Sequence, residues 1–410
     1  MFISVFEEEA MKLLHFEIEG ASLFENGKAF LDLIATDRVT KLLDSEMMSD
    51  VSKVGQAGSI HTLNVVGISG VNASGKTTLL NLLRFVLTQL TGMFEMREFS
   101  LPQKRLGKLG KEITLRAIFW HEDNYYLIES QISRSMTDWL STAFDMGESF
   151  IYTDETIWVL SASRPRRSLL VDADEFKKNA AVYLRRNGDL SIPEDARRFL
   201  GDRTSIAVFV TNRAPVAVGS LSRKLPAITM PTEVIQAFDG SVEKLAWDPE
   251  AQVFHLKFKG EKERVVGMEA AVAMLSRGTI EGAELVDHAI GVLKQGGYFI
   301  VDEIEESLNR SLVATVIELF DSPVTNPRGA QLVFSTHYPE ILDSVRRKDA
   351  VYVLVRGEDW RTSVVKYADA VNRIENKKSA VINNNIIRGS MPRYPDVQAM
   401  REYVRMCVNG

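Results

Sequence analysis

One stretch of the sequence carries residue types that bind phosphate groups at a recognised spacing. Residues 70–77, Gly-Val-Asn-Ala-Ser-Gly-Lys-Thr, fit the P-loop pattern G-x-x-x-x-G-K-[ST] at every fixed position. Glycine tolerates the backbone dihedrals with which such a loop turns its N–H groups inward around phosphate oxygens. We expect the Lys76 ammonium to pair with the β- and γ-phosphates and the Thr77 hydroxyl to ligate Mg²⁺. The segment therefore predicts a nucleoside triphosphate site.

The flanking residues predict the elements that such a loop requires. An apolar run from Val65 to Ile68 indicates a buried strand, and the pattern from Thr77 to Leu87 indicates a helix. That helix would direct the positive end of its dipole at the bound anion. The alternative is a loop that matches by accident, and the strand before it and helix after it argue against this. The predicted nucleotide-binding residues are Gly70, Asn72, Ser74, Gly75, Lys76, Thr77 and Thr78.

Two acidic residues follow a second apolar stretch. Residues 296–301 predict a short buried strand that ends at Asp302 and Glu303. A carboxylate at the end of a strand beside a P-loop can hold Mg²⁺ through water, which is the role we predict for Asp302. Glu303 can then polarise the attacking water. The alternative is an ordinary strand end with a turn, and the P-loop upstream favours the metal-binding and catalytic roles.

A histidine ends a third apolar stretch. Residues 331–336 predict a buried strand that is followed by His337. A lone histidine at a strand end is more often structural. Because this strand follows the acid pair along the chain, we predict that His337 senses the nucleotide and acts beside Glu303 and Lys76.

Alternating and apolar runs predict β structure elsewhere in the chain. Residues 11–20 alternate like an edge strand, with residues 30–34 as its partner. The predicted hairpins pair residues 113–120 with 125–131 and residues 242–247 with 253–258. Further strands are predicted near residues 150–153 and 206–211, inside a stretch that is otherwise helical and rich in arginine.

Composition excludes several classes of protein. With 410 residues, 45% hydrophobic residues, 25% charged residues and a net charge of −6, the chain is typical of a globular protein with two or three domains. A single cysteine, Cys407, excludes a disulfide framework and a zinc cluster. The acidic N-terminus is unlike a signal peptide, and no apolar run approaches the ~18 residues of a membrane span. We therefore expect a cytoplasmic protein without membrane contact, starting at Met1 or Met11.

Positive charge is concentrated in two parts of the chain. Residues 161–230 carry thirteen Lys and Arg against seven Asp and Glu, and residues 341–410 carry thirteen against eight. The dense points are Arg164, Arg166, Arg167, Arg185, Arg186, Arg197, Arg198, Arg346, Arg347 and Lys348. Such patches can face nucleic acid or an acidic partner. The alternative is solvated surface, because acids are interspersed among the basic pairs.

The motifs together resemble those of ABC-type ATPases. Residues 70–77, 275–279, 299–303 and 335–337 resemble the Walker A, signature, Walker B and switch-histidine elements in the order of that class. Leu-Ser-x-Gly-Thr, Val-Asp-Glu-Ile-Glu-Glu-Ser-Leu and Ser-Thr-His-Tyr-Pro-Glu-Ile-Leu are similar to the prokaryotic AAA/ABC-like ATPases of phage-defence and abortive-infection systems. This group includes the AbiLi/RloA-like proteins and the ATPase parts of OLD-family, Septu and PARIS-type systems. The resemblance covers residues 11–90 and 268–345.

The resemblance implies an α/β fold, namely an ABC-type P-loop ATPase head. Such a head has a mixed sheet core with flanking helices, an N-terminal antiparallel β part and here an α/β insertion. The implied parts are an N-terminal lobe (1–134), the Arg-rich insertion (135–235), a C-terminal lobe (236–355) and a tail packed on the head (356–410).

It also implies a homodimer, or a higher oligomer built from dimers, that closes around ATP and Mg²⁺. Lys76, Thr77, Asp302, Glu303 and His337 of one subunit would face Ser276 and Gly278 of the other. Arg277 replaces the small or polar residue that is usual at the third signature position.

Three functions are compatible with these motifs. The first is an ATPase subunit of a defence system that controls an effector, a nuclease or toxin. We expect this effector to be a separate protein, because the residues after the last predicted core strand hold no paired carboxylates at metal-ligand spacing. The second is a RecF-like ATPase head that acts on DNA in repair or chromosome maintenance. The third, a transporter subunit, is disfavoured because the signature lacks a Gly-Gly-Gln ending and the insertion is large.

Overall fold

The computed structural model describes most of the chain. The described residues are 11–37, 39, 50–55, 60–92, 109–135, 149–161, 165–187, 200–201, 203–211, 216–371 and 377–409. The strands in these ranges are β1 (Lys12–Ala21), β2 (Lys28–Asp32), β3 (Val51–Lys53), β4 (His61–Leu63), β5 (Val65–Gly70), β6 (Leu109–His121), β7 (Asn124–Ser135), β8 (Ser149–Leu160), β9 (Ala181–Arg185), β10 (Val218–Gly219), β11 (Val242–Asp248), β12 (Val253–Phe258), β13 (Arg264–Val266), β14 (Tyr298–Val301), β15 (Gln331–Thr336), β16 (Val351–Arg356) and β17 (Thr362–Lys366). The helices are α1 (Lys76–Thr91), α2 (Ala173–Asn179), α3 (Thr232–Phe238), α4 (Met268–Met274), α5 (Arg277–Gln295), α6 (Arg310–Asp321), α7 (Tyr367–Ala370), α8 (Lys378–Asn383) and α9 (Tyr394–Asn409).

The first sheet is antiparallel and has the strand order β2-β1-β6-β7-β8-β9. Strand β1 pairs with both β2 and β6, so the prediction of an edge strand at residues 11–20 was wrong. Residues 12–18 are buried without alternation, because β1 also contacts α1. Strands β8 and β9 extend the same sheet, so part of the arginine-rich stretch belongs to it.

The central sheet has the strand order β10-β14-β15-β5-β16-β17. Its strands are parallel except β17, which runs antiparallel to β16. Every residue of β5 and β15 is buried, and both strands contact α1 and α6. Burial of this kind is usual for parallel strands, which read as continuous apolar runs. The predicted α/β class, with a mixed sheet core and an antiparallel N-terminal part, is confirmed.

A smaller antiparallel sheet, β11-β12-β13, has its own apolar core. This core includes Ile235 of α3, Phe254 of β12 and Ala271 of α4, and it reaches Ile280 and Ala283 in the first turns of α5. The small sheet therefore supports the start of α5. The division of the chain at residues 134, 235 and 355 stays a prediction.

The predicted strand at residues 206–211 was also wrong. Residues Ile206–Phe209 form a 3₁₀-helix whose N-terminus is capped by the Ser205 hydroxyl, which accepts a hydrogen bond from the Ala207 N–H. A short apolar run without alternation does not distinguish a buried strand from a buried helical turn. The cap residue was the sequence signal for the helical turn.

A buried polar cluster joins the first sheet to the central sheet. The Asp32 carboxylate contacts His15 Nδ1 at 2.8 Å and accepts a hydrogen bond from Lys366 Nζ at 3.0 Å. Burial alone would lower the pKa of His15, but its contacts with Asp32 and Glu17 raise it above 6.5. Burial alone would raise the pKa of Asp32, but His15 and Lys366 lower it to about 2. The two cations therefore hold Asp32 ionised in the interior.

We expect Asp32→Asn to destabilise the fold by about 3–5 kcal/mol, because it removes the buried carboxylate that His15 and Lys366 share and leaves His15 with Glu17 at 3.9 Å. Because folding raises the pKa of His15, its protonation stabilises the folded state. This contribution is fully present below about pH 6.5, the ordinary pKa of the imidazole, and is lost as pH rises through the folded-state pKa. Denaturant unfolding should therefore show a larger loss near about pH 6 than near about pH 9. Asp154→Asn, at an exposed position of β8, is the control. Equal losses at both pH values would contradict the contribution of His15.

Candidate functional site

Three predicted motifs meet at one edge of the central sheet. Strand β15 lies between β14 and β5, and all three are parallel. Because parallel strands present their carboxyl ends at the same edge, Asp302, Glu303 and His337 end next to the P-loop. This edge is where ligands bind in open α/β sheets.

The P-loop connects β5 to α1 through backbone conformations that favour glycine. Gly75 has φ +96° immediately before the first residue of α1, and Ala73 has φ +59°. A Cβ atom at Gly75 would also lie 2.7 Å from Leu23 Cδ2. Any other residue at Gly75 would therefore be strained in two ways. The helix begins at Lys76, so its unpaired N–H groups face the loop.

The Lys76 ammonium lies inside the loop that it follows. Its Nζ donates to the carbonyl oxygens of Gly70 at 2.7 Å and Val71 at 3.3 Å. It also lies 3.3 Å from His337 Nδ1. Burial lowers the pKa of Lys76, while the charges of Asp302, Glu303 and Glu305 oppose that shift. A phosphate oxygen at this place would replace neutral carbonyl acceptors with an anionic acceptor for the ammonium.

The predicted Mg²⁺ ligands are in contact. The Thr77 hydroxyl donates to Asp302 Oδ2 at 2.6 Å, and the Ser335 hydroxyl donates to Asp302 Oδ1. A hydroxyl and a carboxylate oxygen suit Mg²⁺, which takes oxygen ligands and usually completes its shell with water and phosphate. Within the described ranges, no group of three or more His, Cys, Asp or Glu could hold a metal ion. Thr77 and Asp302 would supply two oxygen ligands to a Mg²⁺ ion, with water and phosphate oxygens as the others.

Glu303 and His337 form the predicted catalytic pair. His337 Nε2 lies 3.0 Å from Glu303 Oε1, and the Glu303 carboxylate is 40% exposed. Glu303 has φ +52°, and its N–H donates to Ser335 Oγ at 2.8 Å. The turn thus directs Glu303 toward an open cleft of about 510 Å³ that Asn72 and His337 also line. This space can hold a water molecule and a terminal phosphate.

Two residues of this site were missed by the sequence analysis. Ser335, on the middle strand, contacts the Asp302 carboxylate and the Glu303 N–H. Glu305 accepts a hydrogen bond from the His337 N–H at 2.7 Å and fixes the backbone at His337. The contacts of Ser335 and Glu305 do not follow from local periodicity. The only signal for either residue in the sequence was the place of Glu305 two residues after Glu303.

The signature residues belong to the start of α5. Ser276 is the N-cap, and its Oγ accepts a hydrogen bond from the Thr279 N–H at 3.1 Å. At Gly278, a Cβ atom would lie 2.6 Å from the Ser307 carbonyl oxygen. Neither Ser276 nor Gly278 lines the clefts beside the P-loop, although Gly278 packs against Ser307, which does. The fold thus brings the residues of the two predicted Walker motifs and His337 together.

Arg277 connects the signature to the segment after the acid pair. Its Nε donates to Glu281 Oε1 at 2.7 Å within α5, and its Nη2 donates to Glu306. The guanidinium therefore lies along the surface of its own subunit. Its ion pairs connect the first turn of α5 to Glu306, which follows β14.

The other predicted phosphate-binding residues occupy distinct positions. Asn72 is exposed at the tip of the loop and Thr78 is half-buried in the first turn of α1. Ser74 is buried, and its hydroxyl has no hydrogen-bond partner in the described part of the molecule. Ser74 therefore offers a donor that a ligand could use.

Several of the clustered basic side chains make hydrogen bonds or ion pairs within the protein. Arg167 donates to the carbonyl oxygens of Thr36 and Asp37, Arg186 pairs with the buried Glu155, and Arg347 pairs with Asp349. Arg164, Arg197 and Arg198 lie outside the described residues. Nucleic-acid binding by the Arg-rich insertion stays a prediction. No helix in the described ranges is long and apolar enough to cross a membrane.

Comparisons with known proteins add little to this site. No family model and no curated protein matches the sequence. Among solved structures, the chain is similar to CbiO1 from Clostridium perfringens, described as part of the ABC transporter complex cbiONQ. The chains are 11% identical, the match covers 87% of this chain and 98% of CbiO1, and the TM-score is 0.27. A match at this identity and TM-score carries no argument about what this chain does.

Proposed function

We propose that this protein hydrolyses ATP, as a homodimer or an oligomer of dimers, and thereby controls a separate effector protein. The observation that carries the proposal is the convergence of Lys76, the Thr77–Asp302 pair and the Glu303–His337 pair at one sheet edge. This arrangement contains a phosphate-binding loop, oxygen ligands for Mg²⁺ and a carboxylate base, which are the parts that phosphoryl transfer requires.

Each residue has a distinct task in hydrolysis. Lys76 leaves the Gly70 carbonyl oxygen and pairs with the β- and γ-phosphates. Glu303 accepts the proton of the water that attacks the γ-phosphorus, and His337, held at its backbone by Glu305, orients the Glu303 carboxylate. Mg²⁺ at Thr77 and Asp302 would neutralise charge on the phosphate oxygens. Catalysis in this scheme is positioning and electrostatic stabilisation.

A second copy of the chain would complete the site. Ser276 and Gly278 lie outside the clefts beside their own P-loop. The N-terminus of α5, a helix of 19 residues, starts immediately after Ser276 and suits the γ-phosphate of a partner subunit. Closure of the dimer would then depend on ATP, and its hydrolysis would release the two subunits.

The proposed biological role is supported by the resemblance and by the inventory of reactive groups. Among the described residues, the acids at motif spacing belong to the ATP site, and no further metal-binding group is present. A regulatory ATPase of a prokaryotic anti-phage system, which holds and releases a nuclease or toxin, is the function that fits. Closure of the dimer around the nucleotide would give the surface that binds the effector two arrangements. The affinity for the effector would then differ between the open and the closed dimer.

One prediction separates ATP binding from hydrolysis. Glu303→Gln keeps the shape and hydrogen bonds of the side chain but cannot accept a proton, so turnover should fall about a hundredfold or more. ATP should still bind, and the closed dimer should accumulate in size-exclusion chromatography with ATP.

Lys76→Ala is the matched control, because it should lose both binding and turnover. The roles would be misassigned if Glu303→Gln retained activity while Asp302→Asn abolished it. Normal ATP binding by Lys76→Ala would exclude the P-loop as the nucleotide site.

Another prediction tests the composite site. Ser276→Arg should block the approach of the signature to the γ-phosphate of the partner subunit and abolish turnover, with ATP binding to each subunit nearly unchanged. Mixing inactive Ser276→Arg with inactive Lys76→Ala should recover part of the activity, because one of the two sites in a mixed dimer is intact. Ser276→Asn preserves the N-cap and controls for helix stability. Full turnover by isolated Ser276→Arg monomers would rule out the composite site.

The last prediction of this proposal concerns the effector. Purified protein should hydrolyse ATP but cut neither DNA nor RNA with Mg²⁺ or Mn²⁺, and it should co-purify with the product of a neighbouring gene when the two are expressed together. Strong stimulation of ATP turnover by DNA, without such a partner, would favour the RecF-like function instead. Metal-dependent cleavage that persists in Lys76→Ala would contradict the proposal of a separate effector.

A further inference from the structure

The last helix, α9, is exposed on all sides over most of its length. Residues 399–408 are exposed without exception, and they include the large apolar side chains of Met400, Tyr403, Val404, Met406 and Val408. A helix of 16 residues is marginally stable in water by itself, because helices in proteins are stabilised mainly by packing an apolar face. Exposed apolar surface of this extent marks a site of interaction. The exposed part of α9 is therefore a surface for a partner.

The apolar side chains of α9 follow a heptad pattern. Residues at spacings of three and four lie on one stripe of the helix, namely Val397 (position a), Met400 (d), Val404 (a) and Cys407 (d). Val397 is half-buried, and the other three are exposed. Glu402 lies at position f, on the opposite face. Because β-branched residues at position a favour two-stranded pairs, the stripe suits one further helix.

The charges beside the stripe match a second copy of α9. Asp396 occupies position g, and Arg401 occupies position e of the next heptad. In a parallel pair of helices in register, these two positions face each other, so Asp396 of each copy meets Arg401 of the other. An antiparallel pair with the same apolar layers would instead bring the two copies of Arg401 together. Within its own subunit Asp396 lies 3.9 Å from Arg393, and such a contact between exposed side chains contributes little.

We propose that α9 pairs in parallel with α9 of a second copy of this chain, and that this pair forms without nucleotide. Identical surfaces meet about a twofold axis, as in most homodimers. The pairing does not depend on the proposed ATP site. Two heptads are a small contact beside the ~1,200–2,000 Å² of a stable interface, so the pair is weak by itself. It would raise the effective concentration at which two subunits meet around ATP.

Cys407 supplies a direct test, because it is the only cysteine of the sequence and is exposed. In the parallel pair the two copies of Cys407 face each other in one d layer, close enough for a disulfide, which requires Cα atoms about 4.4–6.8 Å apart. Oxidation of the full chain with diamide, without nucleotide, should give a covalent dimer that a thiol reductant reverses. Met400→Glu, which places a charge in the stripe, should slow this cross-linking about tenfold or more. Glu402→Lys, on the opposite face, is the matched control and should cross-link like the wild type.

Charge reversal tests the direction and register of the pair. Asp396→Lys and Arg401→Glu each create like charges in the homodimer, so each variant alone should cross-link about tenfold more slowly. An equal mixture of the two should cross-link at nearly the rate of the wild type and mainly between unlike subunits, because both facing pairs are then opposite in sign. A size tag on one variant identifies the mixed species on a non-reducing gel.

Sedimentation equilibrium without nucleotide measures the association itself. The wild type should show a monomer–dimer equilibrium whose dissociation constant rises about tenfold or more in Met400→Glu. Lys76→Ala should associate like the wild type, so failure of the ATP site would leave this result unchanged. A wild type that is monomeric at every concentration would overturn the proposal, as would equal cross-linking by Met400→Glu or a mixture that recovers nothing. If Met400→Glu abolished co-purification with the effector and left self-association unchanged, the stripe would bind the effector and the proposal would be wrong.

Discussion

The candidate site depends on the two hydrogen bonds of the Ser335 hydroxyl. This hydroxyl donates to the Asp302 carboxylate and accepts a hydrogen bond from the Glu303 N–H, so one side chain of the middle strand positions both acids. This requires β15 to pair with β14 and β5 in the observed register, in which Val301 lies opposite Phe334 and Ser69 opposite Thr336. A shift by one residue would direct Ser335 to the other face of the sheet. The register of three strands therefore decides where the acids lie.

The remaining architecture positions the surfaces around this edge. The first sheet is fastened to the central sheet by the buried cluster of His15, Asp32 and Lys366, which carries charge into the interior. The small sheet supports the start of α5 through a separate apolar core. The first turns of α5, which follow Ser276, thus pack on the core of the small sheet, while the rest of the helix packs on the main core.

The last two strands of the central sheet extend the site in another direction. Arg356 and Thr362, on either side of the β16–β17 turn, contact the P-loop backbone at Ala73 and Ser74. The C-terminal segment from Gly389 to Arg393 lines a cleft beside the P-loop. The P-loop and the C-terminal segment are therefore two walls of one cleft.

Local sequence patterns were sufficient to predict the motifs, the elements beside them and the hairpins. The P-loop pattern with its strand and helix, the acids after β14 and His337 after β15 all lie where the apolar runs predicted, because burial and periodicity are local properties. The hairpins β6–β7 and β11–β12 were equally predictable, since their partners are close along the chain.

The pairings between distant segments were visible only in the assembled fold. It placed β1 between two neighbours, where alternation had indicated an edge, and it turned residues 206–209 into a helical turn. It also placed Ser335 and Glu305 beside Asp302, Glu303 and His337, and it used Arg167, Arg186 and Arg347 in internal contacts. These contacts depend on strand order and on packing across more than 200 residues in some cases, as between Ala73 and Arg356. No local pattern of the sequence predicts contacts between residues so far apart along the chain, because these contacts form only when the sheets assemble.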